Sequence, residues 1–233
     1  MEQIDPQQYD AGAADFVAHM EGQPYNVLYE RPAMRSLVGD VAGLRVLDVA
    51  CGAGSFSQEM FDEGAKVTAC DGSSEMLQIA RDRISRDISL HHQDCSDSFD
   101  WATDASFDLV VMSLAYHYLN DHASFLREMH RVLSNDGALV ISTHHPIDDW
   151  RRLDGPYFAT ELNTDTWAVA GQDVVSWRMP LSAITGHFYQ AGFVIEQLIE
   201  PRPSEALASA APGVAAKLED CPAFILFRLL KRT

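Results

Sequence analysis

No run of about 18 apolar residues occurs in the 233-residue chain, which excludes a membrane-spanning helix. Positive charge is also scarce. Seventeen Lys and Arg stand against thirty-four Asp and Glu, a formal charge of −17, and this opposes the counterion-release attraction on which nucleic-acid binders rely. Cys51, Cys70, Cys95 and Cys221 are scattered, with no CxxC pair and no Cys/His cluster at the spacing of a zinc or redox site, so reduced thiols and no metal are expected. The opening residues, Met1-Glu2-Gln3-Ile4-Asp5-Pro6, have neither the basic stretch nor the apolar core of a secretory leader. Internal repeats and Gly/Ser-rich tracts are missing too. These absences lead us to expect a cytoplasmic protein with neither a membrane nor a nucleic acid as partner, and they leave its oligomeric state open.

The chain does have enough apolar residues, 47%, for one core around one sheet. From residue 44 onward, short apolar runs alternate with amphipathic stretches, the pattern of βα units feeding a parallel sheet. Strands are expected over 44–49, 66–70, 88–92, 107–113 and 138–143. The intervening helices have Phe56, Met60 and Phe61, then Met76, Leu77, Ala80 and Ile84, then Phe125, Met129 and Val132 on their apolar faces. Ser73 or Ser74 can cap the second of these helices, and Asn135-Asp136-Gly137 reads as a turn. A helix over 182–191 and two strands over 193–199 and 223–230 follow. The Ala/Pro-rich stretch 201–222 shows no helical period, which suits an antiparallel final pair. The expected fold is α/β, a Rossmann-like doubly wound sheet of seven strands, mostly parallel, with the last strand antiparallel. Ahead of it, a helix over 9–20 and a segment over 25–38 interrupted by Pro32 form a cover on the sheet's C-terminal edge, where ligands bind in open α/β folds.

The most informative stretch is Val46-Leu47-Asp48-Val49-Ala50-Cys51-Gly52-Ala53-Gly54, a strand running into a small-residue turn that opens a helix. Small residues let a ligand approach the backbone. A dinucleotide fingerprint would need a glycine at Ser57, and the Asp48 carboxylate would face a pyrophosphate at the helix N-terminus. A ligand carrying an ammonium and a sulfonium would welcome that carboxylate.

The stretch resembles motif I of class I S-adenosylmethionine-dependent methyltransferases, with Ala50 standing where glycine is commonest, an alanine that fits if its φ is negative. The resemblance continues in order. Asp71, followed by Gly72, is similar to the family's acidic residue on the ribose hydroxyls, and Ser74-Glu75-Met76-Leu77 to the turn whose methionine lies near adenine. Gln93-Asp94-Cys95 resembles the motif that places a carboxylate on the adenine amino group and an amide on the ring. The stretch 107–118, with Ser113 and Leu114, resembles motif IV, and 131–139 the turn before strand five. The resemblance implies that Asp48, Ala50, Gly52, Gly54, Asp71, Gly72, Met76, Asp94, Cys95, Ser113 and Leu114 bind S-adenosylmethionine, with S-adenosylhomocysteine as product. It also implies one methyltransferase domain over 1–233: a helical cover (1–40), a cofactor-binding core (41–143), a cap or lid insert (144–180) and the C-terminal strands (181–233).

The N/D-P-P-Y/F motif of base-nitrogen methyltransferases is replaced here by Ser113-Leu114-Ala115-Tyr116, and no Pro-Cys nucleophile appears, which points away from DNA and RNA. Arg31-Pro32-Ala33, Thr143-His144-His145-Pro146 and Glu200-Pro201-Arg202-Pro203 resemble small bacterial methyltransferases of the type-11 kind. Some of these methylate nitrogens or oxygens of heteroaromatic compounds in secondary metabolism. Trp150, Tyr157, Phe158, Trp167 and Trp177 in the insert either stack on a flat substrate as a lid, with Gly155 and Gly171 as hinges, or form the core of a β-ribbon. Tyr9, Tyr25 and Tyr118 are further candidates for the substrate wall. If the acceptor must lose a proton, His117 or His145, with His144 beside it, stands at the sheet edge as the candidate base; otherwise positioning alone suffices. A nicotinamide-dependent oxidoreductase and a methyltransferase-like binding protein without activity are the alternative readings.

Overall fold

Strands buried on both faces read as continuous apolar runs rather than alternations, and Val46, Leu47 and Val49, like Val110, Val111 and Met112, are fully buried. A computed structural model of the protein describes residues 4–5, 7, 10, 12–167 and 172–232. In it β1 (Arg45–Val49), β2 (Lys66–Asp71), β3 (Ser89–His92), β4 (Phe107–Met112) and β5 (Leu133–His144) are parallel. Their C-terminal ends face one edge. The sheet has seven strands in the order β3-β2-β1-β4-β5-β9-β8, where β9 (Phe224–Lys231) runs antiparallel to both β5 and β8 (Phe193–Ile199). The expected doubly wound sheet with its last strand antiparallel is therefore the one observed. No helix among the described residues is long and apolar enough to cross a membrane.

Helix α1 (Ala13–Gly22) and α2 (Arg31–Val38) precede the sheet, and α3 (Ser55–Asp62), α4 (Ser74–Arg83) and α5 (His122–Val132) connect its parallel strands. Ser73 caps α4 by accepting from the Met76 amide at 3.1 Å, and Asp121 caps α5 by accepting from the Ser124 amide at 2.9 Å. Apolar clusters cover both sheet faces, Phe125, Met129 and Phe188 on one, Met34, Met60 and Ala80 on the other.

The structure departs from the sequence expectations at four places. The expected first helix begins at Ala13, after Gly12 at φ +84, and Tyr9 lies outside the described residues. Pro32 does not interrupt the second segment. A π-helical stretch, Tyr25–Glu30, runs directly into α2, with the proline in its first turn, where a missing N–H is harmless. Asn135-Asp136-Gly137 is not a turn but part of β5: Phe107 pairs with Leu133 and Leu109 with Ala138, so residues 134–137 bulge opposite Asp108. Glycine suits this position, because a Cβ would crowd Leu133 Cδ2 at 2.9 Å and Asp108 O at 3.1 Å. Residues 201–222 hold two short helices, α8 (Glu205–Ala210) and α9 (Pro212–Asp220). Each buries only one or two apolar side chains, too few for a visible period.

The insert after β5 consists of α6 (Pro146–Arg152) and an antiparallel ribbon of β6 (Glu161–Trp167) and β7 (Gln172–Arg178), followed by α7 (Leu181–Gln190). Arg178, 2% exposed, fastens it by donating to the Asp154 carbonyl at 2.7 Å and pairing with Glu161. Gly155, at φ +108, is a site of close approach, since a Cβ there would lie 2.7 Å from Arg178 Nη2. Gly171 lies outside the described residues.

Ala50 has φ +56, so the alanine in the turn after β1 occupies the left-handed region and not the negative φ expected of it. A non-glycine residue there is disfavoured by about 1–2 kcal/mol. Ala50→Gly should therefore raise stability to urea by about 0.5–1 kcal/mol, after the greater chain entropy of glycine is deducted; a loss of stability would contradict the strain reading.

Candidate active site

A cavity of about 880 Å³ opens at the C-terminal ends of β1, β2, β4 and β5 beneath α1 and the π-helical stretch. The turn after β1 forms its floor. The Cys51 amide donates to the Cys70 carbonyl at 3.0 Å, extending the β1–β2 ladder, and the Gly52 amide donates to Asp71 Oδ2 at 2.8 Å. Asp71 Oδ1 accepts from the Ser73 amide, also at 2.8 Å, where α4 begins. Burial raises the Asp71 carboxyl above its usual range, opposed by these two amides. Asp48, 2% exposed, accepts from Ser57 Oγ at 2.5 Å, and burial pushes it up to about 7 against the pull of Ser57 and Arg31. Asp94 holds its own loop, accepting at Oδ1 from the Ser96 amide at 2.8 Å.

Asp48, Ala50, Gly52, Asp71, Gly72, Met76, Asp94, Cys95, Ser113 and Leu114 all line this one cavity. Gly54 does not. It sits at φ +79 at the N-cap of α3, where a Cβ would come 2.8 Å from Ile84 Cγ2, so its role is close packing of α3 on the end of α4. The cysteines are free, and burial holds the thiols of Cys51, Cys70 and Cys95 well up, away from the reactive thiolate.

The opposite half of the cavity is walled by rings. His117 stacks on His144 at 3.8 Å, and His144 lies nearly parallel to Phe224 at 6.2 Å; Tyr118 and Tyr25 complete the wall. His117 Nδ1 lies 3.1 Å from Thr143 Oγ1. Burial, then the proximity of His144 and His122, holds its pKa well below the usual imidazole range, so the ring is neutral. His145 is turned away: Nδ1 accepts from the Ile147 amide at 3.1 Å as the cap of α6, Nε2 lies 2.8 Å from Glu200 Oε1, and the residue is not among those lining the cavity. Trp150 and Tyr157 also stand apart, edge to face at 6.3 Å, with the Tyr157 hydroxyl accepting from the Leu181 amide at 3.2 Å. Trp167 lies in β6 with its side chain outside the described residues, as Tyr9 is altogether.

Sequence reasoning missed Glu30, Arg31 and Phe224, which line the same cavity. Glu30 is 1% exposed in the cover, and its only signal was a charge next to Tyr29 in a segment with no regular helical period. Phe224 reaches the wall through its antiparallel pairing with His144, a contact 80 residues distant in sequence.

A methyltransferase domain family matches residues 47–141, the stretch from β1 into β5. A solved S-adenosylmethionine-dependent methyltransferase of Mesorhizobium loti is 30% identical, with 90% of this chain and 99% of that one covered at a TM-score of 0.77. Malonyl-[acyl-carrier protein] O-methyltransferase of Erwinia billingiae is 38% identical over 141 residues, 56% of this chain and 53% of its own length. Demethylmenaquinone methyltransferase of Clavibacter sepedonicus is 38% identical over 114 residues, 48% of this chain and 45% of its own length. The chain thus spans about half the length of these two enzymes.

The raised Asp48 carboxyl carries a pH signature. From about pH 4 to 7 the folded protein holds a proton on Asp48 that the unfolded chain has released, so this group's contribution falls as pH rises through that window. Asp48→Asn removes the titration and keeps an acceptor for Ser57. Its stability to urea relative to wild type should grow by roughly 2–4 kcal/mol between those limits. A difference independent of pH would show that Asp48 is ionised throughout.

Proposed function

The chain belongs to the S-adenosylmethionine-dependent methyltransferases, and from that premise we propose that it transfers the methyl group to a nitrogen or oxygen of a small, flat (hetero)aromatic metabolite in the cytoplasm. Family membership decides against the nicotinamide-dependent oxidoreductase. The observation that carries the substrate reading is the juxtaposition, in one cavity, of the carboxylate-lined turn and the wall of His117, His144, Phe224, Tyr118 and Tyr25. Aromatic faces and edges favour a flat, apolar partner. The C-terminal part of this wall lies beyond the matched residues 47–141, so the substrates of the relatives do not carry over with the cofactor half.

The residues present suit the cofactor. Asp71 is fixed by two backbone amides and keeps acceptor capacity on both oxygens for a diol. Asp94 leaves Oδ2 for the adenine amino group, Met76 offers a soft apolar surface beside it, and the backbone at Ala50 and Gly52 admits the methionine half. When bound, S-adenosylmethionine supplies a methyl group activated on sulfonium. The protein then has to align the acceptor in line with that methyl and exclude water, contributions on the order of several kcal/mol. For an acceptor that must lose a proton, His117 is the candidate base. In the tautomer whose Nδ1–H donates to Thr143 Oγ1, Nε2 keeps its lone pair, and the neutral ring is the form a base requires. His145, committed to Ile147 and Glu200, has no free nitrogen for that task.

Release of S-adenosylhomocysteine across a panel of heteroaromatic amines, phenols and ring N–H compounds tests the substrate class; turnover confined to aliphatic or acyl acceptors would overturn it. Asp71→Ala should weaken S-adenosylmethionine binding by about 1.5–3 kcal/mol in calorimetry, and unchanged affinity would remove Asp71 from the site. With an accepted substrate, His117→Ala should lower kcat by roughly 10²–10⁴ while leaving cofactor affinity alone. A drop under about tenfold would mean catalysis by positioning.

A further inference from the structure

Glu30 ends the π-helical stretch and is buried in the cavity wall. Its Oε1 accepts from two hydroxyls, Ser113 Oγ at 2.8 Å and Ser142 Oγ at 2.5 Å. Ser142 Oγ in turn accepts from the Leu114 amide at 2.9 Å, and Leu114 is held at φ +50. Several groups, one in a disfavoured conformation, thus fix a single carboxyl oxygen. The other, Oε2, takes no hydrogen bond from any described residue. The adjacent cation does not serve it: Arg31 directs Nη1 to Glu59 at 2.9 Å. Burial opposes ionisation of Glu30, Ser142 and Arg31 favour it, and Glu59 adds to the opposition. Arg31 attracts this carboxyl without a hydrogen bond to it, so Oε2 lacks a directly bonded cation, and the cavity is where one can enter.

Position decides which positive group that is. Ser113 directly follows β4, and the chain continues from it through Leu114 to His117 and Tyr118; Ser142 lies in β5 two residues before His144. These strand ends build the aromatic wall. On the other side the lining passes through Asp48 and the turn at Ala50 and Gly52. Glu30 therefore stands where the two halves of the cavity meet. In the reading proposed above, on which this inference rests, the methyl-bearing sulfur is the part of the cofactor that must lie at that junction.

We propose that Glu30 recognises the sulfonium charge and makes the site prefer S-adenosylmethionine over S-adenosylhomocysteine. When the acceptor's lone pair forms the new bond to the methyl carbon, the electrons of the C–S bond return to sulfur, which becomes a neutral thioether. The attraction to Glu30 is present before transfer and gone after it, which favours exchange of product for fresh cofactor.

Calorimetry of wild type and Glu30→Gln with S-adenosylmethionine, S-adenosylhomocysteine and sinefungin, whose protonated amine replaces the charged centre, tests this. Glutamine keeps the shape and an oxygen for both serines. The variant should lose about tenfold or more in affinity for the two cationic ligands, the scale of a hydrogen bond to a charged group, and less than about twofold for S-adenosylhomocysteine. Glu30→Asp, which keeps the charge, should retain part of the preference for the cationic ligands. Equal loss for all three ligands in a variant that melts like wild type would place Glu30 at the amino-acid end they share and overturn the proposal, as would no change for any. Failure of the wild type to bind any of them would overturn the cofactor reading itself, and this inference with it.

Discussion

The hydrogen bond from the Gly52 amide to Asp71, 2.8 Å long, joins the turn after β1 to the end of β2, and the shape of the cavity follows from it. Beyond Val49 and Cys70 the parallel ladder continues for one more backbone bond, Cys51 to Cys70, and then the carboxylate takes over the place of a carbonyl. That substitution lets the chain leave the sheet at Ala50 and Gly52, both at φ +56, with the backbone open toward the ligand. The second oxygen of Asp71 fixes the start of α4, so one side chain aligns two turns.

Around this frame the cavity gathers carboxyl groups that burial makes reluctant to ionise, Glu30 and Asp48 with Asp71. Serine hydroxyls and backbone amides solvate them in place of water. Such an arrangement is held against its own desolvation cost by the surrounding core, and in the function proposed above its use is affinity for positive charge. The other half of the cavity is walled by rings. His117, His144 and Phe224 present their rings to it, and the neutral imidazole of His117 is a consequence of the same exclusion of water that a methyl transfer benefits from.

The parallel core was legible because doubly buried strands and capped helices write their periods into the sequence, and motif I to motif IV fell in order along it. The aromatic side was less legible. Phe224 and His144 meet only through the antiparallel return of β9, and α8 and α9 bury too little for their period to show. Glu30 escaped notice because a π-helical stretch replaces the 3.6-residue period by which a buried polar position is recognised. The aromatics of the insert misled in the other direction: Trp150 and Tyr157 contact one another rather than the cavity, and density of rings in a loop did not reveal which way they point. His145 and Gly54 share a similar lesson, since a residue at the right sheet edge was already committed to capping a helix or closing a packing gap.

In the proposed function one cavity holds the cofactor on the carboxylate side and the acceptor against the rings, meeting at Ser113 and Glu30. A crystal structure with S-adenosylhomocysteine bound is the decisive measurement. Adenosine should lie between Asp71 and Asp94, the homocysteine chain over Ala50 and Gly52, and the sulfur facing Glu30 with open space toward His117 and His144. Density for the ligand with its sulfur directed away from the aromatic wall, or adenosine lodged among the rings, would contradict it.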